Sequence, residues 1–315
     1  MNVLVTGGAG FIGSHVVDAL IAAGHRVVIV DTLRTGHRAN VPAEATLYEV
    51  DIRDKEALDK IFVDEKIEAI SHQAALANVR ESMSNPQEYA EVNVMGTLNL
   101  LELARIHNCQ KIVFASTGGA VYGEGHSETE EKLPFSESSW PQPKDNYGAT
   151  KLSMEYHFDL YHQNYGLPYV ALRYPNVYGP RQDSKGEAGV VAIFTGAMLN
   201  GQPTKITGDG KQTRDFIYVG DIARANVLAL ESDATGIFNV GTGVPTDINM
   251  VHEVLSDVIA YELEVEYIER PVGEVLATYL DSSKAKDELG WEAEVSLLEG
   301  LSNTAQWFQQ EKMKG

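Results

Sequence analysis

Short apolar runs and amphipathic stretches alternate along residues 1–175. Runs at 2–5, 26–30, 46–50, 67–71, 111–115 and 168–174 are short and mostly rich in branched aliphatic side chains, the pattern of strands buried on both faces. Between them, Ile12–Ala23, Lys55–Phe62, Tyr89–His107 and Tyr147–Tyr165 repeat apolar positions at helical spacing. Strands separated by helices predict an α/β chain built on a doubly wound parallel sheet. After Tyr174-Pro175-Asn176 the regular alternation ends, and Gly and Pro punctuate Gly179-Pro180-Arg181 and Gly201-Gln202-Pro203. This places a first domain at 1–175 and a smaller C-terminal α/β domain at 176–315. Helix Asp221–Glu231 and strand Ile237–Val240, within 220–240, are expected to rejoin the first sheet. The polar stretch Gly123–Pro143 reads as a surface loop, with Glu128-Thr129-Glu130-Glu131 as its solvated face.

Charge and cysteine content narrow the classes of partner. The 315 residues carry a formal charge of −20. Nucleic acid is an unfavourable partner for such a surface, because phosphate neutralisation needs a basic face. An anionic small molecule would need local cations instead, which draws attention to Arg181, Arg214 and Arg270. No apolar run reaches the ~18 residues of a membrane span, and no charged-then-apolar leader opens the chain. Cys109 is the one cysteine, which excludes an internal disulfide and suits a reducing, cytoplasmic setting. It reads as a packing residue, and no metal site is expected.

The run Val3-Leu4-Val5 leads into Thr6-Gly7-Gly8-Ala9-Gly10-Phe11-Ile12-Gly13. A buried strand, a glycine-rich turn and a helix start are what a nucleotide pyrophosphate needs: close backbone approach and free N–H groups at the helix end. The triplet Gly7, Gly10 and Gly13 alone is also compatible with an ordinary turn. Asp31 strengthens the nucleotide reading. It closes the second strand ~20 residues later, where a Rossmann unit places the carboxylate that holds an adenosine ribose. A carboxylate there repels a 2′-phosphate, so the expected cofactor is NAD rather than NADP, with Arg34 as a counter-signal.

Tyr147 and Lys151 lie four residues apart, on one face of a predicted helix. A free tyrosine, with a pKa of ~10, is a poor base at neutral pH. A nearby ammonium favours the phenolate, which can then take a proton from a hydroxyl. The preceding strand ends in Ser116-Thr117-Gly118-Gly119-Ala120-Val121-Tyr122-Gly123, where small hydroxyl residues can meet a reacting oxygen beyond the sheet.

Taken with Asp51-Ile52, His72-Gln73-Ala74-Ala75, Asn93-Val94-Met95-Gly96-Thr97, Arg173-Tyr174-Pro175-Asn176 and Arg214-Asp215-Phe216, the chain resembles the extended short-chain dehydrogenase/reductases. Within them it resembles the NAD-dependent nucleotide-sugar epimerases of the UDP-glucose (UDP-galactose) 4-epimerase type. The resemblance implies a Rossmann-type NAD domain followed by a nucleotide-sugar domain. It places Phe11 and Ile12 at the pyrophosphate, Asp31 and Gly36 by the adenosine ribose, and Asp51 and Ile52 at the adenine. Ala74, Ala75, Asn93, Ser116 and Tyr174 would wall the cofactor. Asn176, Val190, Ile206, Arg214, Arg270 and Glu274 would surround the nucleotide half of a UDP-sugar. Tyr147 and Lys151 would serve both catalysis and cofactor binding.

One position departs from the family. The usual catalytic Ser/Thr falls on Gly118, so the hydroxyl moves to Thr117, which with Gly118 would meet the sugar, or Ser116 or a water takes the role. Gly118-Gly119 also lack the acidic pair of the 4,6-dehydratases. The resemblance therefore implies interconversion of UDP-galactose and UDP-glucose through a 4-keto sugar. The alternatives are a related epimerase on UDP-glucuronate or UDP-N-acetylhexosamine, and a non-catalytic NAD or nucleotide-sugar binding protein. Family members pair the helices around Val92–Ala104 and Tyr156–Tyr161 across a two-fold axis, which implies a homodimer. Thr278 falls where the family lines its sugar pocket, and its small side chain leaves room for an acetamido group, with Tyr279 as the alternative residue there.

Overall fold

The computed structural model describes residues 1–124, 133–184, 189–270 and 275–314. Strands β1 (Asn2–Thr6), β2 (Arg26–Asp31), β3 (Thr46–Glu49), β4 (Ala69–His72), β5 (Lys111–Thr117) and β6 (Tyr169–Tyr174) fall on the six apolar runs. Among them lie helices α1 (Phe11–Ala22), α2 (Lys55–Glu65), α3 (Val79–Ser84), α4 (Pro86–Ala90), α5 (Thr97–Ile106), α6 (Gly118–Val121) and α7 (Asn146–Tyr165). The chain continues through β7 (Asn176–Tyr178), α8 (Val190–Leu199), β8 (Lys205–Thr207), β9 (Thr213–Tyr218), α9 (Val219–Glu231) and β10 (Gly236–Asn239). It closes with β11 (Pro245–Asp247), α10 (Ile248–Ile259), β12 (Glu266–Ile268), β13 (Ala277–Thr278), α11 (Ser283–Leu289) and α12 (Leu297–Lys314).

Seven strands form one sheet in the order β10-β6-β5-β4-β1-β2-β3, with every neighbouring pair parallel. Side chains alternate across it. Val3, Val5, Val113 and Ala115 pack with α1 and α9 on one face. Leu4, Ile112 and Phe114 pack with α5 and α7 on the other. Burial on both faces explains the continuous apolar runs. The strand order turns back between β1 and β4, so a crevice opens beyond their carboxyl ends. A third cluster, with Val191, Phe194, Ile206, Phe216, Val251 and Leu301 among its members, packs α8, α10 and α12 with β8 and β9.

Two expectations change. Tyr89–His107 is not one α-helix: a π-helical turn at Glu91–Gly96 separates α4 from α5. A Cβ on Gly96 would lie 2.6 Å from the Ile52 side chain, and Asn93 bonds outward to the Leu76 backbone. Those tertiary contacts override the local periodicity. The stretch Gly123–Pro143 is also not wholly surface. Phe135 is fully buried, stacks on Tyr122 and bridges Leu280. The acidic run Glu128–Glu131 lies outside the described residues.

Candidate active site

A cavity of about 690 Å³ opens at the crevice above β1 and β4. Its floor is the glycine turn. Gly7 sits at φ +70°, and a Cβ there would come 2.8 Å from the Ala74 backbone nitrogen. A Cβ on Gly13 would lie 2.1 Å from the Gly7 carbonyl oxygen, so the start of α1 approaches the turn more closely than any side chain allows. Gly10 caps α1 without a side-chain hydrogen bond, and the first turn of that helix carries no acid. Its terminal N–H groups therefore keep their capacity for an anion. Gly7, Gly10, Phe11, Ile12 and Gly13 all line the cavity.

Asp31 ends β2 at the cavity wall. Its Oδ2 accepts the Ala9 N–H at 3.0 Å and its Oδ1 the Leu33 N–H at 2.8 Å. The carboxylate is thus held rigidly beside the turn. Arg34 also lines the cavity, but Glu88 holds its guanidinium at 2.6 Å and Glu81 lies 3.6 Å away. Its charge is locally balanced, which weakens it as a 2′-phosphate ligand. Asp51 and Ile52 lie in the same wall. Arg53 binds the Asp51 carboxylate at 2.7 Å and holds it below the usual carboxylate range. These residues make a cradle for a dinucleotide: a side-chain-free turn at a helix end, a fixed acid at ribose distance in sequence, and apolar cover at Ile52.

Tyr147 and Lys151 both line the cavity, one turn apart on α7. Asp145 caps that helix by accepting the Gly148 N–H at 2.7 Å, which sets Tyr147 in its first turn. Lys151 is only 3% exposed. Its Nζ donates to the Ala115 carbonyl at 2.7 Å and stands 4.6 Å from the centre of the Phe114 ring. Burial pulls the ammonium down to about 7, opposed by the charge of Glu155.

Glu155 anchors a buried network. It accepts the Ser116 hydroxyl at 2.5 Å and a two-pronged contact from Arg173 at 2.9 and 2.6 Å. Arg173 also donates to the Tyr122 hydroxyl, which donates to Asn239 at 2.9 Å. Ser116 lines the cavity with its proton already committed. Tyr174 lines it too, held by Asn226 and Gln73, and burial pushes its phenol up to about 12.

The remaining expected residues divide between the cavity and other parts of the fold. Ala74 and Ala75 line the cavity, whereas Gly36 and Asn93 stand behind its wall. A Cβ on Gly36 would meet Ala9 and the Asp31 carboxylate at 3.0 Å. Thr117 caps the short helix α6 by accepting the Ala120 N–H at 3.2 Å, and it is 8% exposed. Gly118 is packed under Leu280, whose side-chain methyl lies 2.6 Å from a built Cβ, so a side chain there would have to displace Leu280. Asn176 is exposed on β7, Val190 opens α8, and Ile206 is buried in the third apolar cluster. Arg214 donates to the Thr213 and Val275 carbonyls at 2.9 and 2.6 Å. Arg270 contacts Asp209 at 2.8 Å and lies over Gly208, where a Cβ would be 2.6 Å from it. Glu274 lies outside the described residues. Thr278 on β13 pairs with Arg214; its buried hydroxyl has no hydrogen-bond partner among the described residues.

The expected set omits cavity residues contributed by separate parts of the chain, notably Leu76, Asn78 and Glu81 at and before α3, and Arg181–Asp183 from a loop. Arg181 has φ 67°, a strained conformation for a non-glycine residue, and binds Asp18 of α1 at 2.7 Å. Its one sequence signal was positive charge in an acidic chain.

A doubly wound sheet, a glycine turn followed by an acid, and a Tyr–Lys pair in one crevice define a dinucleotide-dependent extended short-chain dehydrogenase/reductase fold. The chain belongs to the NAD-dependent epimerase/dehydratase family, whose model matches residues 3–241. It is 40% identical over 314 residues to the UDP-glucose 4-epimerase of Mycolicibacterium smegmatis, covering 98% of each chain. Its fold matches a UDP-glucose 4-epimerase from Thermotoga maritima solved with UDP-glucose, with a TM-score of 0.95, 45% identity and 99% and 100% coverage of the two chains. A Thermus thermophilus UDP-glucose 4-epimerase solved with NAD gives a TM-score of 0.92 at 43% identity, covering 98% and 99%.

Proposed function

We propose that this chain is an NAD-dependent UDP-glucose 4-epimerase, interconverting UDP-galactose and UDP-glucose through a 4-keto sugar. The observation that carries it is the meeting of Tyr147 and Lys151 with the glycine turn and Asp31 in one cavity. Gly7, Gly10, Gly13, Asp31, Asp51, Ile52 and the Tyr147–Lys151 pair would hold NAD. NAD, when bound, supplies the acceptor and donor for the hydride at sugar carbon 4. Tyr147 takes the 4-hydroxyl proton as that carbon is oxidised and returns it on reduction. Lys151 favours the phenolate through its charge, and its contact with the Ala115 carbonyl fixes where that charge sits. Thr117 is the hydroxyl assigned to steady the sugar oxygen. The Ala120 N–H occupies one of its lone pairs and leaves its own proton to donate, while Ser116 spends its proton on Glu155.

On this reading, 1–175 with 220–240 binds the cofactor and the rest of 176–315 binds the UDP-sugar. Asn176, Val190, Ile206, Arg214, Arg270 and Glu274 belong to the sugar-nucleotide side. The reading includes a cytoplasmic setting. It also includes a homodimer, supported by Met95, Ile106, Tyr156, Leu160 and Tyr165, which are large and exposed on the π turn and on α5 and α7.

The test is incubation of the purified protein with UDP-galactose and no added reductant, followed by separation of the products. Conversion to UDP-glucose is expected. Recovery of UDP-galactose alone refutes the reading and leaves a binding protein or a UDP-glucuronate epimerase to be assayed. A second activity, on UDP-N-acetylgalactosamine, is favoured by the small Thr278. If that residue gates the pocket, Thr278→Tyr depresses the acetylated reaction and spares UDP-galactose.

A further inference from the structure

His72 ends β4 directly below the cavity and is 1% exposed. Its two ring nitrogens meet two threonine hydroxyls: Thr6 Oγ1 at 2.6 Å from Nδ1, and Thr97 Oγ1 at 2.8 Å from Nε2. Each hydroxyl has a second contact that fixes its sense. Thr97 donates its hydrogen to the Asn93 carbonyl at 2.6 Å, so it must accept from His72 Nε2–H. Thr6 accepts the Ala74 N–H at 3.2 Å, which leaves its own hydrogen for His72 Nδ1. Every donor and acceptor in this chain is matched when the imidazole is neutral and carries its hydrogen on Nε2.

Both ends of the chain reach the cavity wall. At one end Thr6 holds the Ala74 N–H. At the other, Asn93 accepts the Leu76 N–H at 2.8 Å and donates to the Leu76 carbonyl at 2.9 Å. Asn93 also donates to Thr150 Oγ1 at 3.1 Å, and Thr150 donates to the Tyr147 carbonyl. Ala74, Ala75 and Leu76 all line the cavity.

We infer that His72 is a positioning residue for the cofactor cleft. As a neutral Nε2–H imidazole it links Thr6, which holds Ala74, to Thr97, which ties down the backbone carbonyl of Asn93, the residue whose side chain clamps Leu76, and so braces the wall from Ala74 to Leu76 at both ends. Burial and the facing charge of Lys151 both hold the ring neutral. The inference rests on that cleft being the NAD site, but the tautomer does not, so the two are tested separately.

Nitrogen-15 NMR of the histidines in the wild-type protein, with His72 assigned by its absence in His72→Phe, reads the tautomer directly. Protonation on Nε2 with Nδ1 as the bare acceptor is expected. An Nδ1–H tautomer or an imidazolium at neutral pH overturns the inference. The functional arm is a titration of cofactor-free protein with NAD. Thr6→Val and Thr97→Val are each expected to weaken NAD by about tenfold, the scale of one buried hydrogen bond broken. Combined, they are expected to be less than multiplicative, because each breaks the same chain. In a His72→Phe background the effect of Thr97→Val on NAD binding should vanish, while Thr6→Val keeps only the part that comes from its direct bond to the Ala74 N–H, with the UDP-sugar KM at saturating NAD unchanged. A Thr97→Val effect that persists in full without the imidazole, or effects that simply multiply in the double variant, overturn it.

Discussion

Tyr147 and Tyr174 share one cavity, yet only one is suited to move a proton. Tyr174 is held in place by Gln73 and Asn226, and burial keeps its phenol neutral against the opposing pull of those two hydrogen bonds. Tyr147 lies one turn from the Lys151 charge. Tyr147→Phe is expected to retain the fold and bound NAD and to lose about 10²–10⁴-fold in turnover, the usual worth of a general base. Near-normal turnover in UDP-galactose assays removes Tyr147 from the mechanism. Lys151 makes a second prediction, for the cofactor-free protein. Its pKa falls from 10.5 to about 7 on folding. Below pH 7 it is protonated in both states, and the folded chain carries the full cost of burying the charge. Between about 7 and about 10.4 only the unfolded chain binds the proton, so this contribution to stability rises with pH. Lys151→Met is therefore expected to raise the melting temperature at pH 6, with the advantage shrinking toward pH 10. A difference that does not depend on pH contradicts it. Asp31 makes a third: with Arg34 already balanced by Glu88 and Glu81, NADP should bind at least about tenfold more weakly than NAD, a gap of about 1.4 kcal/mol. Equal affinities in parallel titrations would show that the carboxylate does not select.

The glycine turn and α1 act as one unit. The contact between Gly13 and the Gly7 carbonyl is too close for any Cβ, so Gly13→Ala must push α1 away from β1. Overpacking of this kind costs about 1–3 kcal/mol. Gly13→Ala is expected to lower the melting temperature and to abolish NAD binding. Calorimetry and NAD titration check the two effects, and tight NAD binding by the variant would mean the turn tolerates a displaced helix. The same logic explains why Tyr89–His107 misled a reading by periodicity. Its apolar positions are spaced as in a helix, but Asn93 is pulled toward Leu76 and Gly96 toward Ile52, and the backbone widens to a π turn.

In the whole molecule, α7 has two duties. Its inner face carries Lys151, Met154, Glu155 and Phe158 into the core, while Tyr156 and Leu160 stay 60% and 50% exposed. The proposed dimer covers that outer face. Leu101, Leu103 and Ala104 of α5 are already buried within the chain, so the interface falls to fewer residues than helix periodicity suggests. Leu160→Glu with Tyr156→Glu is expected to give a monomer by light scattering at micromolar concentration, with the parent at twice that mass. A monomeric parent refutes the dimer.

The strand–helix alternation, the glycine turn with its acid and the Tyr147–Lys151 pair were legible along the chain. Each depends on local chemistry: burial on two faces, backbone freedom, and the helical repeat. The fate of Gly118 was not, because only folding brings Leu280, 162 positions later in numbering, against it. Nor was the Glu155–Arg173–Ser116 network or the His72 chain, since neither leaves a periodic signal and both join separate strands. Arg181 and Leu76 reach the cavity from loops whose paths are set by packing across the crevice. Pattern along the chain reports what a residue can do; the sheet order, which closes β1 on β4, decides which of those capacities meet.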